Sequence, residues 1–309
     1  MNARKANWAF LIIVIFYILG SLSMLFLPEN VTSNLLVTNL MLECILMLPV
    51  LVFILVSKEK PGQFLGFHKM RPCTVLMILP FTLLTAPLLT LVNAISMFWV
   101  NNEAVAMLEG FQTGNMPFWQ LLLATAVIAP LFEEITCRGG FYHAYRKSGS
   151  PVKAMFLSAM VFALIHMNFN QASYAFVMGV IAVLLVEATG SLWSSVIYHA
   201  LFNGSSSLMA YMVLRNDPMA YADQEVTAEL LMYGVGSYLV ITAVCLPLAY
   251  AVLVWISKHE GREGFFTEMR KKKKDKLITV PLVLALILCL VTMTGLLNAV
   301  IVKLFDLLA

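Results

Sequence analysis

The sequence predicts an all-α fold, a polytopic transmembrane helical bundle of about eight to nine spans. Of the 309 residues, 61% are hydrophobic and 12% are charged, whereas a soluble domain has about 25% charged residues. Apolar runs long enough to cross a bilayer, about 18 residues or more, recur along the whole chain. Because no polar block is long enough to form a soluble domain, we expect a single integral-membrane domain over residues 1–309.

The apolar runs can be grouped into three regions of this domain. Residues 1–99 form N-terminal helices, residues 118–213 form a central core, and residues 230–309 form C-terminal helices. The runs lie near residues 8–27, 35–56, 75–99, 118–146, 153–168, 172–188, 191–213, 230–256 and 277–302. The fifth and sixth are short for a hydrocarbon layer about 30 Å thick, which favours a tight helical hairpin that does not cross fully.

The charges of the connecting loops indicate the orientation of the chain. The loops after the second, fourth and eighth runs are basic: Lys58, Lys60, Lys69 and Arg71; Arg146, Lys147 and Lys153; Lys258, Arg262, Arg270 to Lys274 and Lys276. The other loops are neutral or acidic, with Glu29; Glu103 and Glu109; and Asp217, Asp223, Glu225 and Glu229 against Arg215. This alternation predicts a plasma-membrane protein with a cytoplasmic N-terminus and an external C-terminus. The lysine run at 271–276 is interpreted as a topology determinant, with an anionic-lipid site as the alternative.

Composition also restricts cofactors and partners. The five cysteines are scattered and form no Cys-x-x-Cys pair, so neither a disulfide framework nor a thiolate zinc site is indicated. We expect a lipid bilayer as the surroundings, no organic cofactor and no nucleic-acid partner. The oligomeric state stays open, because no helix face with small residues at every fourth position stands out.

Three polar patterns interrupt the apolar central core. They are Glu133-Glu134-x-x-x-Arg138, Phe162-x-x-x-His166 and His199-x-x-x-Asn203. An ionisable side chain at membrane depth costs several kcal/mol unless it is paired or hydrated, so such residues are rare and usually functional. Two carboxylates, a guanidinium and two imidazoles within about seventy residues therefore indicate a catalytic or ion-handling site.

Helix geometry separates the roles of the two glutamates. Glu134 and Arg138 are four residues apart, on one helix face and within reach of an ion pair, which could be purely structural. Glu133 lies about 100° around the helix and cannot share that contact with Arg138. It needs water, a proton or a cation instead, and burial would move its basicity towards that of a general base.

The polar groups of three helices also lie at similar depth. Counted from the basic ends at about 1.5 Å per residue, Glu133 and His166 lie roughly 20 Å deep, and His199 and Asn203 roughly 12 and 18 Å deep. His199 and Asn203 share one helix face. We therefore expect a single polar cavity open to the cytoplasm, with His143 at the membrane interface.

The three motifs, in this order, resemble those of the CPBP family of intramembrane endopeptidases, the CAAX-protease and bacteriocin-processing or Abi family, which includes the Rce1-type prenyl-protein proteases. The similarity covers residues from Glu133 to Asn203, and Cys137 stands where relatives commonly carry an aromatic residue. The resemblance implies that Glu133 activates the attacking water, with His166 beside it. It implies that His199 and Asn203 stabilise the oxyanion. Glu134 and Arg138 would hold the geometry or bind substrate, and Phe162 would pack the cavity wall.

Metal dependence is left open by the sequence. There is no His-Glu-x-x-His motif, so the compact geometry of many zinc proteases is absent. Glu133, His166 and His199 could still supply three zinc ligands from separate helices, with an open position for water. Zinc is therefore a candidate cofactor of a metalloprotease.

The expected function is an intramembrane endopeptidase that cleaves membrane-associated peptides or proteins. Bacterial peptide processing or bacteriocin immunity is favoured over the trimming of prenylated tails. A proton- or ion-coupled transporter is the first alternative, because intramembrane Glu, Arg and His also form relays. A non-catalytic membrane scaffold is the second.

Overall fold

The all-α prediction is confirmed by a computed structural model, which describes residues 1–24, 26–32, 34–101, 117–216, 227–271, 276–297 and 299. All regular structure within these ranges is helical. The longer helices are α1 (Ala3–Met24), α2 (Leu35–Val56), α3 (Pro72–Ser96), α4 (Phe118–Ser148), α5 (Pro151–Leu164), α6 (Phe169–Thr189), α7 (Leu192–Asn216), α8 (Ala228–His259) and α9 (Val280–Met293). Shorter helices, Glu29–Thr32, Pro61–Leu65 and Phe265–Met269, lie in the connections.

Each longer helix falls on one of the predicted apolar runs. Six of them, α1, α2, α3, α4, α6 and α8, are long and apolar enough to cross a membrane. Helices α5 and α9 have 14 residues each, and α7 has the length but carries His199, Asn203 and several serines. Helix α6 has 21 residues, longer than predicted, so only the first helix of the α5–α6 hairpin is short. The chain is a multi-pass membrane protein.

Some predicted features lie outside the described residues. These are the acidic residues Glu103, Glu109, Asp217, Asp223 and Glu225, the lysines 272–274 and the end of the last predicted span.

Side chains next to the helices determine where several of them begin. Asn34, Ser150, Asn168 and Thr227 precede α2, α5, α6 and α8, and each accepts a hydrogen bond from the backbone N–H three residues later. Such caps satisfy an amide that has no partner within the helix. Gly190 ends α6 in the left-handed conformation, with φ of 72°, which favours glycine and allows the tight turn into α7.

The loops with predicted positive charge meet at one end of the bundle, which we call the basic end. The carboxylate of Glu187, at the end of α6, accepts a hydrogen bond from the Tyr142 hydroxyl at 2.7 Å and pairs with Arg146 of α4 at 2.8 Å. The Arg262 guanidinium, beyond α8, donates to the backbone carbonyl of Glu187 at 2.7 Å. These contacts join the ends of α4, α6 and α8, as the predicted loop alternation requires.

A second ion cluster lies at the basic end. It predicts how the stability of the folded protein depends on pH. The Glu59 carboxylate accepts hydrogen bonds from the Lys147 ammonium and from the ammonium group of Met1. These two cations hold the pKa of Glu59 below its usual range. Because the unfolded carboxyl has the higher pKa, the stabilisation is complete at neutral pH and is lost as the pH falls through the lowered folded value.

We therefore expect wild type to lose part of its thermal stability below about pH 4, the ordinary range of a glutamate. The loss should be small, because both side chains are partly exposed and exposed ion pairs contribute little. In thermal unfolding at constant ionic strength, a Glu59→Gln variant should not show this loss of stability at low pH. Identical pH profiles for the two proteins would contradict the assignment.

Two glycines allow the helices around the centre of the bundle to approach closely. A Cβ atom at Gly140 of α4 would lie 2.3 Å from a methyl carbon of Val50 in α2. A Cβ atom at Gly179 of α6 would lie 2.9 Å from the Cα atom of Ala159 in α5. Larger residues would push these helices apart, so the glycines bring α2, α4, α5 and α6 into direct contact.

Helices of the three predicted regions pack against one another: α3 against α8, α1 against α2 and α9, and α6 against α3. The outward faces are apolar, as a lipid environment requires. On α8, for example, Leu239, Val240 and Val244 are exposed. Polar residues such as Glu134, Arg138 and His199 are buried inside the bundle instead.

Candidate active site

Helix α4, which carries the first motif, alternates between α- and π-helical turns. Its α-helical stretch Ala129–Glu134 lies between π-helical stretches Leu123–Ile128 and Ile135–Tyr142. π-helical turns shift the backbone hydrogen bonds by one residue and are frequent at functional sites. Here the backbone carbonyl of Thr125, in the first π stretch, accepts a hydrogen bond from the side-chain amide of Asn203 at 3.0 Å. This contact ties α7 to α4 beside the motif glutamates.

The second motif glutamate forms a buried ion pair. The Arg138 guanidinium donates to Glu134 Oε1 at 2.7 Å, and both side chains are fully buried. The same oxygen lies 3.0 Å from Nδ1 of His199. Because a carboxylate only accepts, Nδ1 of His199 carries the proton and Nε2 faces away from Glu134. Glu134 thus fixes the orientation of an imidazole on another helix, in addition to its pairing with Arg138.

The first motif glutamate is left without such a partner. Glu133 Oε2 lies 3.7 Å from Nε2 of His199, beyond hydrogen-bond distance, and has no hydrogen-bond partner among the described residues. Its side chain is 14% exposed, compared with 0% for Glu134. The neighbouring carboxylates therefore have different surroundings: Glu134 is held by two cationic or ionisable groups, and Glu133 is available to a water molecule or a substrate.

The second motif lies at the end of α5. His166 follows this helix by two residues, and its Nδ1 is 2.8 Å from the backbone carbonyl oxygen of Phe162. A carbonyl oxygen can only accept, so Nδ1 carries a proton and Nε2 of the neutral ring is an acceptor. The Phe162 ring packs edge-on against His166 and His199, with centroids 5.1 and 5.6 Å apart. It also lies 4.0 Å from Cζ of Arg138, in a cation–π contact.

These residues surround one cavity of about 260 Å³. Its wall includes Glu133, His166, His199 and Asn203, so the structure brings together the four predicted catalytic residues. Phe162 lines it as well, whereas Glu134 and Arg138 lie behind the wall. The remaining lining residues come mostly from α1, α2 and α6.

The predicted opening of this cavity to the cytoplasm stays a prediction. Towards the basic end, Phe10 of α1 and Phe141, Tyr142 and Tyr145 of α4 are fully buried; we call these four side chains the aromatic layer. The rings of Phe10 and Phe141 are in edge contact, with centroids 6.0 Å apart. The part of the cavity wall that α4 supplies runs from Glu133 to Thr125, away from the basic end. On α4, packed aromatic side chains thus lie between Glu133 and the basic end.

One acidic residue of the cavity was missed by the sequence analysis. Glu43 of α2 lines the cavity with Glu133, is 6% exposed, and has an Oε2 atom without a hydrogen-bond partner in the described structure. Asn39, one turn earlier, also lines the cavity. A signal was present: Glu43 is the sole charged residue of the apolar run 35–56. The argument applied to the motif residues, that a charge in a span is rarely accidental, applies here equally.

His143 lies away from this cavity. Its Nδ1 is 3.0 Å from the backbone carbonyl of Gly139, and its ring lines a surface pocket at the basic end with His68 and Lys147. This position agrees with the predicted interfacial location.

The residues proposed as zinc ligands are not arranged as a metal site. The nitrogen donors are in suitable tautomers, since Nε2 of both His166 and His199 is free of the contacts that occupy Nδ1. However, among the residues that the structure describes, no three His, Cys, Asp or Glu side chains are grouped closely enough to hold a metal ion. Zinc binding therefore stays a prediction from the sequence.

Comparison with known proteins agrees with the motif analysis. Residues 115–205 match the family model described as "Type II CAAX prenyl endopeptidase Rce1-like". The matched segment contains all three motifs, and it confirms the resemblance to the CAAX-protease family. No curated protein and no solved structure matches the chain.

Proposed function

We propose that this multi-pass membrane protein, whose residues 115–205 match the Rce1-like family model, hydrolyses peptide bonds with a water molecule activated by Glu133. The observation that carries the proposal is the contrast between the two adjacent glutamates. Glu134 is neutralised by Arg138 and held by His199, whereas Glu133 has an unpartnered oxygen at the cavity wall. A carboxylate with an oxygen free of protein partners at a cavity wall can take a proton from a bound water molecule.

The first step is the activation of water. Water between Glu133 and His166 would donate one hydrogen bond to the glutamate and the other to Nε2 of His166, which is an acceptor in the neutral tautomer. This leaves an oxygen lone pair directed at the substrate. Glu133 takes the first proton as the oxygen attacks the carbonyl carbon, and a tetrahedral oxyanion forms.

The oxyanion is stabilised by groups on α7. Asn203 uses one amide hydrogen for the Thr125 carbonyl and has a second hydrogen available for the oxyanion. His199 lies between Glu133 and Glu134, and a proton on Nε2, in addition to the one on Nδ1, would give it a donor towards the cavity. Such preorganised donors are often the largest contribution to acyl-transfer catalysis. Glu133 then returns its proton to the leaving amine, the C–N bond breaks, and the carboxylate is regenerated.

We propose a membrane-associated peptide or the membrane-proximal part of a protein as the substrate. The cavity lies within a bundle whose outer faces are apolar, so substrates that partition into the bilayer reach it most readily. The bacterial roles suggested by the motif resemblance, peptide processing and bacteriocin immunity, would both fit such a substrate. Because the matching family is one of prenyl endopeptidases, a prenylated peptide is the necessary comparison.

The test is cleavage of a quenched fluorescent peptide library by the purified protein in liposomes, with products identified by mass spectrometry. Matched prenylated and unmodified peptides are included. We expect cleavage by wild type and a loss of about 10²-fold in His166→Ala, the usual contribution of one acid–base group. His68→Ala serves as the control, because His68 is exposed at the basic end, outside the cavity.

Each preparation is assayed with and without a chelator. Activity that survives chelation would contradict zinc dependence, whereas activity that the chelator removes and added zinc restores would support it. If wild type cleaves no peptide, prenylated or unmodified, the proposed function is wrong. Equal activity of His166→Ala and His68→Ala would reject the site assigned here.

A further inference from the structure

The cavity contains more negative charge than the proposed mechanism uses. Glu43 and Glu133 both line it and lie close enough to repel each other electrostatically. Glu43 is only 6% exposed, and it lies on a helix that carries no other charged residue. A carboxylate in such surroundings must be protonated or must face a cation.

The described groups do not neutralise both carboxylates. Arg138 is bound to Glu134, and a protonated His199 would balance Glu133. His166, as the neutral acceptor proposed above, adds no charge. Among the described residues of the cavity wall there is no Lys or Arg. Glu43 is thus left without a cation in the described part of the chain, so it holds a proton unless a ligand supplies the positive charge.

The hydrogen-bond contacts indicate independently that a partner for Glu43 is missing from the described structure. Oε2 of Glu43, Oε2 of Glu133 and Oδ1 of Asn39 are buried and have no hydrogen-bond partner in the described part of the chain. All three residues line the same cavity. Buried acceptors without donors cost about 1–3 kcal/mol each, more when charged, so this group of oxygens would be satisfied by a ligand that carries several N–H donors.

The rest of the wall restricts the shape of that ligand. Apolar side chains supply half of the lining residues, among them Ile13, Leu42, Ile45, Leu46, Ile165, Met167 and Met178. A free metal ion or a small hydrated cation would leave this apolar surface unfilled. A lysine or arginine side chain has an aliphatic stem for such walls and a cationic tip with several donors.

We propose that Glu43, with Asn39, forms a subsite for a basic side chain of the substrate peptide. The inference rests on the proposed function, because it names the class of peptide that this cavity would accept. Glu43 binds the cationic tip, and Asn39 accepts one of its remaining hydrogens. Selectivity for a basic residue follows, because an uncharged side chain offers Glu43 neither an opposite charge nor hydrogen-bond donors.

The test measures binding and cleavage separately, with pairs of eight-residue peptides that differ only by lysine or norleucine at one position. Binding to the protein in liposomes is measured by fluorescence, and mass spectrometry checks that the peptides stay intact. We expect at least one lysine peptide to bind wild type 10-fold or more tightly than its norleucine partner. Glu43→Gln should abolish this preference and should bind the norleucine peptides as wild type does.

Asn39→Leu provides a second variant and should reduce the lysine preference about three-fold or more. Glu263→Gln removes an exposed carboxylate at the basic end and should change nothing. Equal binding of lysine and norleucine peptides by wild type at every position overturns the proposal. A preference for lysine over norleucine that persists in Glu43→Gln also overturns the proposal.

Cleavage of the same peptides separates this proposal from the proposed function. A lysine preference in binding without any cleavage would leave the subsite in place and reject the protease mechanism. Cleavage without a lysine preference would support the protease mechanism and reject the subsite. A uniform loss of rate for all peptides in Glu43→Gln, with unchanged binding, would show that Glu43 acts on the reaction as a proton donor and would overturn the subsite.

Discussion

Replacing Glu133 by glutamine is expected to lower kcat for peptide cleavage by about 10³-fold or more, with little change in KM. Glutamine has the size of glutamate but cannot take a proton from water. In the described structure the Oε2 atom of Glu133 makes no hydrogen bond that the substitution could break. The thermal unfolding temperature should therefore stay at or slightly above that of wild type, because an unpaired charge is removed from the bundle.

The measurement is single-turnover cleavage of the best library peptide, with thermal unfolding of the same preparations. Glu263→Gln is the matched control, since the same chemical change occurs at an exposed site. Activity within 10-fold of wild type would show that another group activates the water. A large fall in unfolding temperature would mean that Glu133 stabilises the fold in a way its contacts do not indicate.

Replacing Arg138 by methionine is expected to destabilise the folded protein by about 3–5 kcal/mol, the usual cost of breaking a buried ion pair. The substitution keeps the unbranched apolar stem and removes the charge. Glu134 would then be a fully buried carboxylate without its cation, and Phe162 would lose its cation–π contact. We expect little folded protein in the membrane fraction and a much lower unfolding temperature for what remains.

A double variant distinguishes the lost pair from lost packing. In Arg138→Met combined with Glu134→Gln the uncompensated charge is absent, and glutamine can still accept the hydrogen bond from His199. Much of the stability should therefore return, giving a coupling energy well above zero in a double-mutant cycle. Arg215→Met, at an exposed position on α7, is the control for loss of a positive charge. Equal destabilisation of the single and double variants would contradict the ion-pair explanation.

The features that the sequence predicted correctly are those determined within one helix. The pair of Glu134 and Arg138 follows from a spacing of four residues, and the positions of the helices follow from runs of apolar residues long enough to cross a bilayer. Local geometry is sufficient in each case.

The contacts between helices could not be predicted in this way. The hydrogen bond from His199 to Glu134 joins residues 65 positions apart and depends on how α7 packs on α4. The π-helical turns that free the Thr125 carbonyl for Asn203 arise from backbone bonding that periodicity does not reveal. Glu43 is the exception: its isolated charge in an apolar run was sufficient evidence, and it was overlooked because it belongs to no motif.

The aromatic layer formed by Phe10, Phe141, Tyr142 and Tyr145 has a consequence for the membrane itself. A hydrolase at this depth has to admit water, and a continuous column of water across a bilayer would conduct protons and dissipate the membrane potential. Fully buried rings on α4, between Glu133 and the basic end, would hinder such a column. We expect a bundle with these rings in place to hydrate its polar residues without becoming a pathway for protons.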